Sequence, residues 1–546
     1  MSVFVKFRYF VKLYTFVLCA LFVFFLQPVY ASAQVVSSDE GQEQKREKRQ
    51  INSTFQFNLS SYLAGSGAYY FQKKEFFGGF ETWLNAHIGG KLGKNTSYFA
   101  DIGVALVNAK RELLSEREQM KVLDEERDDE EGTFTRVYSY PMGYFPYSYR
   151  NLWDGFVFPI SNVQNSKPGW ADSTSIGLTF LIGVSGSAFD NVFEWQIARV
   201  DREAGAVAEG YSLALNKSAR PFMGIDLKLN VLPWLSMYHV TGILEYFASE
   251  SIKASAATFQ NGFSLTMFSA SFRNYIQFDI GTTAVWPKRF EIGYLFPMFH
   301  LLYQNNIGDF DNLAFFGNLK LQYPGLGFIW FSVFVDEITS EKDFLKLARE
   351  MYAYQAGLRY QIPFLPSGLL TLSYTKIEPY CYTHQKTSVP WYNQPMEQSY
   401  TNHGSGLGYY LPPNSDELKL VIYANVAPRT ECNIQFQMIR HGAEYGEHKV
   451  YGSSYRSELQ EDNRSRNPAL RKDFLDDGAY QWLFVPKTGV KYTIKGVPAT
   501  ERLQMEFLFN AGVVVSYWQL NGKTLDNNQY PSRTGIIMDA GFRIKY

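Results

Sequence analysis

Alternating apolar and polar positions run through most of this chain, and the pattern is clearest near its end. Between positions 538 and 546 every second residue is apolar and the residues between them are polar, charged or glycine: Met538, Ala540, Phe542, Ile544 and Tyr546 alternate with Asp539, Gly541, Arg543 and Lys545. Successive side chains of a strand point to opposite faces, so this spacing predicts a strand with one apolar and one polar face.

The same alternation recurs in segments that are far apart in the chain. It is seen at Ile225–Val231, Leu418–Ile422, Cys432–Met438 and Leu503–Phe509. A soluble sandwich would bury some of the second faces against another layer, whereas here the second face stays polar. Lipid outside and water inside a closed barrel explain this pattern, so we predict an all-β, antiparallel transmembrane β-barrel of the outer-membrane type.

The composition agrees with a barrel better than with a helical membrane protein. No segment beyond the first 33 residues has the roughly 18 consecutive apolar residues that a spanning helix needs. The chain nevertheless contains 45 Phe, 38 Tyr and 10 Trp, and its mean hydropathy is only −0.22. Barrels combine these properties because only alternate residues meet lipid, while aromatic residues collect at the two membrane interfaces.

The first 33 residues have the three parts of a secretory signal. Basic residues precede an apolar core from about Phe16 to Leu26, and the small-residue site Ala31-Ser32-Ala33 follows. We expect residues 1–33 to be a cleaved signal peptide, residues 34–52 a charged periplasmic tail, and residues 53–546 the barrel. Export in this form predicts a location in the cell outer membrane.

Chain length sets the number of strands. At roughly 25 to 30 residues per strand with its connection, 53–546 gives 16 to 20 strands, and barrels usually have an even number. We predict about 18 strands, with 16 as the alternative. Three connections are too long to be turns, near 110–131, 380–413 and 449–477, and we expect loops of this kind to fold inward and occlude the lumen.

Charge and motifs argue against several classes of function. Removing residues 1–33 leaves 49 basic against 53 acidic residues, so the chain lacks the basic excess of a nucleic-acid-binding protein. The seven His residues form no His-Glu-x-x-His motif, and no Cys-x-x-Cys pair is present. The glycines of 404–408 do not lie between a strand and a helix, as a nucleotide-binding loop requires. We therefore predict no enzyme activity, no catalytic residues, no metal site and no cofactor.

The aromatic loop near 380–413 is the strongest candidate for ligand binding. It contains Trp391, Tyr392 and Asn393 beside further Tyr, His and amide residues. Aromatic rings stack on the C–H faces of sugars, and amides bridge their hydroxyl groups. An aromatic membrane-interface girdle with ordinary loop packing is the alternative explanation.

Several segments, taken in order along the chain, resemble the Wzi-like capsule-assembly outer-membrane family. The resemblance covers roughly residues 220 to 480 and rests on Arg220–Trp234, Phe290–Asn312, Val335–Ile338, Tyr374–His384, Tyr400–Gly404, Leu411–Leu418 and Lys472–Gly478. It implies an 18-stranded barrel with a blocked lumen that acts as a lectin for capsular polysaccharide and performs no catalysis. The positions that match the family pattern are Asp336, Glu337, His384, Asn414, Asp416 and Glu417.

The sequence thus predicts a non-enzymatic barrel that binds surface or capsular polysaccharide, with those six positions and Trp391, Tyr392 and Asn393 as candidate glycan contacts. The alternative is an outer-membrane porin or a small-solute transporter. Expected partners are outer-membrane lipid, the polysaccharide, and the barrel-assembly machinery, which we expect to engage the C-terminal strand ending at Tyr546. Nucleic acid is not an expected partner.

Overall fold

The protein forms a closed ring of paired strands. Its structure is a computed structural model that describes residues 53–72, 74–108, 174–219, 221–244, 261–273, 275–287, 289, 291–297, 311–337, 350–384, 398–402, 405–444, 446–455, 474–475, 478–497, 500–527 and 529–545. The long strands of this part of the chain, in order, are β1 (Ser53–Tyr70), β2 (Glu75–Leu92), β3 (Thr96–Asn108), β4 (Thr174–Ala188), β5 (Phe193–Val200), β6 (Phe222–Leu232), β7 (Leu235–Leu244), β8 (Asn261–Phe272), β9 (Ile276–Trp286), β10 (Asn312–Tyr323), β11 (Gly327–Glu337), β12 (Met351–Ile362), β13 (Gly368–Ile377), β14 (Ser415–Ala427), β15 (Thr430–Gly442), β16 (Ala479–Val497), β17 (Thr500–Leu520) and β18 (Arg533–Lys545).

Each strand pairs antiparallel with the next one along the chain, and the last strand pairs with the first. The seam between β1 and β18 runs from Ser60 opposite Lys545 to Tyr70 opposite Gly535. The sheet is therefore a closed antiparallel barrel of eighteen strands, which confirms the predicted fold class and strand number. Short pairings at Thr401–Asn402 with Ser405–Gly406, and at Lys523–Leu525, lie in the connections, as does a single 3-10 turn at Ile292–Leu295.

The two faces of the barrel differ as the alternation predicts. Large apolar side chains are exposed on the outside, for example Ile434 (56%), Phe509 (49%) and Met538 (51%). On the inner face Glu506 is buried and pairs with Arg543. Within the described residues no helix is long and apolar enough to cross a bilayer.

The connections at the two ends of the barrel differ in length. One end, here called the short-turn end, has connections of two to five residues, such as 233–234 and 363–367. The other, here called the long-loop end, has connections such as 201–221 and 378–414. Short turns on the periplasmic side and longer loops outside are the rule for barrels of this type.

Two long connections fold into the lumen. The segment 201–219 between β5 and β6, here called the plug loop, buries Leu213, Ala214 and Leu215 almost completely. It packs in one apolar cluster with inward-facing strand residues such as Trp330 and with the β13–β14 loop. The described residues of the loop near 380–413 thus fold into the lumen, as predicted.

Sequence reasoning missed the plug loop. Of the predicted long loops, 110–131 lies outside the described residues, and 449–477 is described only at 449–455 and 474–475.

Candidate functional site

A buried ion pair anchors the start of the plug loop. The Arg202 guanidinium donates from Nε to Asp226 Oδ1 at 2.9 Å and from Nη2 to Asp226 Oδ2 at 2.8 Å. It also donates to the backbone oxygens of Phe222 at 2.6 Å and Ala198 at 2.8 Å. Only 3% of the Arg202 side chain is exposed, so the chain leaving β5 is held against the inner wall of β6.

Tyrosine hydroxyls of the β13–β14 loop hold the middle of the plug loop. Tyr382 Oη donates to the backbone oxygen of Leu213 at 2.8 Å, and Tyr400 Oη donates to that of Ala214 at 2.7 Å. The two tyrosine rings stack with centroids 5.7 Å apart. Burial raises the pKa of both hydroxyls, so they remain protonated and keep donating. The two loops therefore form one interlocked plug.

Asp336 supports this plug from the wall. A bulge between Val335 and Glu337 takes it out of the strand ladder, and it is 7% exposed. Its Oδ2 accepts the backbone N–H of Tyr382 at 2.6 Å. Tyr380 and Tyr382 both have positive φ, 65° and 70°, a conformation that costs free energy in a non-glycine residue. The carboxylate thus stabilises a strained turn, which makes Asp336 a supporting residue.

Glu417 has a similar supporting role. It accepts hydrogen bonds from Tyr409 Oη at 2.6 Å, from Tyr410 Oη, and from Gln437 Nε2 at 2.8 Å. The side chain is 1% exposed and all these donors come from the protein itself. Glu417 therefore fixes the tyrosine pair at the end of the β13–β14 loop.

Asn414 ties two connections together at the long-loop end, its own and the one between β15 and β16. Its Nδ2 donates to Ser453 Oγ at 2.9 Å, and its Oδ1 accepts the backbone N–H of Leu475 at 3.1 Å. The residue is fully buried and has a positive φ of 55°. Glu337 and His384 are partly buried and lie at the edges of the described segments, next to residues that the structure does not describe.

Asp416 lies on the opposite face from its neighbour Glu417. It accepts Tyr374 Oη at 2.9 Å and forms a two-pronged pair with Arg440, and its side chain is 4% exposed. Tyr374 is 36% exposed on the outside of the barrel. The structure therefore does not bring Asp416 together with Asp336 and Glu417, while Trp391, Tyr392 and Asn393 lie outside the described residues.

The lumen also contains a group of cations that sequence reasoning did not identify as a site. The strand register places Lys320, Trp330, Gly357, Ser373, Lys419, Gln437 and Val485 in one row across β10 to β16. The next inward-facing row is formed by Gln322, Phe328, Arg359, Thr371, Val421, Gln435 and Lys487. These two rows, here called the basic rows, contain four cations and no acid.

None of these four cations forms an ion pair within 4.0 Å among the described residues. Paired lumen cations are found elsewhere, as in Lys228 with Glu194 at 3.0 Å. The alternation of Leu418, Leu420 and Ile422 with Lys419 was the available sequence signal for an inward-facing Lys419. The other three members depend on a register that sequence does not provide.

Ser415, His441 and Glu444 lie in series and invite comparison with a hydrolase. Ser415 Oγ is 2.7 Å from His441 Nδ1, and His441 Nε2 is 3.3 Å from Glu444 Oε1. A nucleophile must reach its substrate, yet Ser415 is completely buried, so this series does not form an accessible site. Within the described chain, no cluster of three His, Cys, Asp or Glu side chains suits a metal ion.

Two acids of the plug loop have perturbed protonation. Burial raises the pKa of Asp201 to about 7, against the opposing effects of Arg199, Lys217 and Arg202. Burial likewise raises the pKa of Glu203 to about 7, although the backbone N–H of Gly210 donates to its carboxylate at 2.7 Å. Ionisation of Asp201 and Glu203 therefore destabilises the plug loop in its position inside the lumen.

No family model and no curated protein sequence matches the chain. Among solved structures it is similar to Pseudomonas aeruginosa OpdK with vanillate, at 9% identity and a TM-score of 0.44 over 90% of this chain and 99% of that one. It is also similar to Wzi, an outer-membrane carbohydrate-binding β-barrel involved in group 1 capsule assembly in Escherichia coli, at 9% identity and a TM-score of 0.46 over 90% and 84% of the two chains. A third structure, P. aeruginosa OccK2 (OpdF) with glucuronate, gives 10% identity and a TM-score of 0.42 over 90% and 97%.

At these sequence identities and TM-scores, the similarity does not assign a ligand or a role to this chain. The fold follows from its own strand pairing and faces: an outer-membrane-type antiparallel barrel of eighteen strands with loops inside its lumen.

Proposed function

We propose that this chain is a non-enzymatic outer-membrane barrel that binds surface polysaccharide, in capsule assembly or attachment, and does not conduct solutes freely. The observation that carries the proposal is the interlocked plug. An open diffusion channel needs a continuous water-filled path, whereas here two loops fill the lumen with buried aromatic and aliphatic side chains.

The bonding of the plug supports a permanent closure. Besides the Arg202–Asp226 pair and the two tyrosine hydroxyls, the backbone N–H of Asn216 donates to the oxygen of Leu407 at 2.8 Å. Asn318 Nδ2 on the wall donates to the oxygen of Gly205 at 2.9 Å. These bonds are distributed along the whole plug loop, so opening it would break all of them together.

Trp391, Tyr392 and Asn393, which lie outside the described residues, are our proposed glycan contacts, together with Glu337 and His384. Aromatic rings and amides in one loop suit a sugar face and its hydroxyl groups. Asp336, Asn414 and Glu417 then act as supports that hold the surrounding loops in shape, because Asp336 Oδ2, the Asn414 amide and the Glu417 carboxylate hydrogen-bond to partners within the protein.

Two measurements test this proposal. In planar bilayers the purified protein should show no steady open conductance. The double variant Trp391→Ala/Tyr392→Ala should retain less polysaccharide on the cell surface while remaining a folded barrel. Phe364→Ala is the matched control, since Phe364 is 82% exposed but lies at the short-turn end. Equal retention by the double variant and the control would reject these two residues as the site.

A solute channel is the second candidate, and the basic rows favour it. Unpaired cations that face a lumen attract anions and steer them. A steady conductance that is selective for anions would favour the solute channel and reject the closed polysaccharide-binding barrel.

A further inference from the structure

Three of the four cations of the basic rows lie beside aromatic rings. The Lys320 ammonium lies 4.3 Å from the centroid of the Phe328 ring, and the Arg359 guanidinium carbon lies 5.6 Å from the same centroid. The Lys419 ammonium lies 5.2 Å from the Tyr410 ring and 5.6 Å from the Tyr211 ring. Each of these rings therefore has a positive charge near its face. Arg359 Nε also donates to Thr371 Oγ1 at 3.3 Å, which leaves its two Nη groups for a ligand.

The rings are continuous with one another. Phe328 contacts Trp330 at a centroid distance of 5.8 Å, and Trp330 contacts Tyr211 of the plug loop edge-to-face at 5.5 Å. Tyr211 in turn lies 6.5 Å from Tyr409. The underside of the plug is thus an aromatic ledge, with Lys320 and Arg359 at one end and Lys419 at the other.

The nearby carboxylates are already bound by protein donors. Asp279 accepts Ser269 Oγ at 2.6 Å and also receives the side-chain amides of Gln277 and Asn318. Glu417 is bound by two tyrosines and a glutamine, as described above. Asp279, Glu417 and Asp539 attract Lys320, Lys419 and Lys487 from farther away, but no carboxylate of the described wall lies within 4.0 Å of these cations.

One end of the ledge, at Lys320 and Arg359, lies near the short-turn end of the barrel. Arg359 lies three residues before the end of β12 at Ile362, and the four cations are only partly buried. The rows cross six strand spacings of about 4.8 Å, or about 29 Å of wall, which exceeds the size of one sugar ring.

We propose that the basic rows bind a carboxylate-bearing sugar that enters from the short-turn end. A carboxylate would pair with Lys320 and Arg359 or with Lys419 and Lys487, and the sugar face would lie on the exposed part of Phe328 or Tyr410. Adjacent sugars of a short polymer would reach both pairs of cations. The basic rows share no residue with the glycan contacts proposed above, so the inference stands independently of them.

Calorimetric titration of the purified barrel in detergent tests this inference. The probes are galacturonate, trigalacturonate and the methyl ester of each, which has the same ring without the charge. The acids should bind at least about tenfold more tightly than their esters, because only the acids can form charge-assisted hydrogen bonds with the cations. Tighter binding of trigalacturonate than of galacturonate identifies a polymer as the ligand, and equal binding identifies a small acid.

Matched variants locate the site. Lys419→Gln/Lys487→Gln and Lys320→Gln/Arg359→Gln should each weaken binding of the acid by about tenfold. Lys228→Gln, which removes a lumen charge already paired with Glu194, should bind like the wild type. Raising the salt concentration should weaken binding of the acid to the wild type, which gives a test independent of variant folding.

Three results would overturn the inference: esters that bind as tightly as the acids, double variants that bind as tightly as Lys228→Gln, or a wild-type barrel that binds no trigalacturonate.

Discussion

The plug and the basic rows lie next to each other in one lumen, yet their basic side chains have different partners. In the plug, Arg202 gives every side of its guanidinium to Asp226 or to backbone oxygens. In the basic rows, Lys320, Arg359 and Lys419 have rings beside them and no carboxylate within 4.0 Å among the described residues. Saturated polar groups hold a structure together, whereas unsaturated ones remain available to a ligand.

The largest change in stability should follow from breaking the saturated ion pair that anchors the plug. Arg202→Met leaves Asp226 buried without its cation, so the free energy of unfolding should fall by about 3–5 kcal/mol. Urea-induced unfolding in lipid vesicles measures the change. Lys228→Met is the control, because its pair with Glu194 is exposed and should contribute about 1 kcal/mol or less. Equal stability of the two variants would show that the Arg202 pair does not anchor the plug.

The plug should also loosen as the pH rises. Asp201 and Glu203 have pKa values of about 7 in the folded protein, above their ordinary 3.8 and 4.5. Between about pH 4 and pH 7 the folded state binds more protons than the unfolded chain, so stability from these groups falls through this range and their penalty is complete above it. The cost is on the order of a few kcal/mol.

Protease cleavage within 201–219 should therefore be faster at pH 8 than at pH 5, relative to cleavage of an unstructured peptide of the same sequence. Asp201→Asn/Glu203→Gln should remove most of this pH dependence. Cleavage that keeps the wild-type pH dependence in that variant would assign the effect to other groups.

A smaller effect is expected from the tyrosine hydroxyls that join the two loops. Tyr382→Phe and Tyr400→Phe each leave a buried backbone oxygen without a donor, at a cost of about 1–2 kcal/mol. Tyr480→Phe is the matched control, since its acceptor Gln519 Oε1 keeps a second donor in Trp482. Hydrogen exchange at the amides of 213–216 should speed up in the first two variants and not in the control.

The smallest effect on stability is expected from the cations of the basic rows, which form no ion pair among the described residues. Replacing all four cations of the basic rows by Gln should change the free energy of unfolding by about 0.5 kcal/mol or less, or raise it slightly, because like charges are removed and no ion pair is broken. The same urea measurement applies. A loss as large as that of Arg202→Met would mean that the cations stabilise the barrel and that the contrast between the two regions is wrong.

The sequence predicts the wall of the barrel well because lipid imposes a period of two on it. The faces at Ile225–Val231, Cys432–Met438 and Met538–Tyr546 follow from alternation alone, and chain length restricts the number of strands to roughly 16 to 20. The same rule separates two of the candidate site residues. Asp416 and Glu417 are consecutive strand residues and so point to opposite faces, and they could not have served one site together.

The contents of the lumen are harder to predict. The plug loop contains no strand alternation, and its signal is a run of Ala and Leu in a connection that would ordinarily be solvated. The basic rows combine residues from Lys320 to Lys487, which only the hydrogen-bond register brings onto adjacent levels. Composition cannot locate such a group, since it is defined by pairing between distant strands.

The seam between β1 and β18 has a consequence for how the molecule is made. Residues near position 60 must find residues near position 545, a separation that makes the final pairing slow. Until it forms, two unpaired edges are open to other chains and to misassembly. Biogenesis of this protein should accordingly depend on an escort that shields both edges until the ring closes.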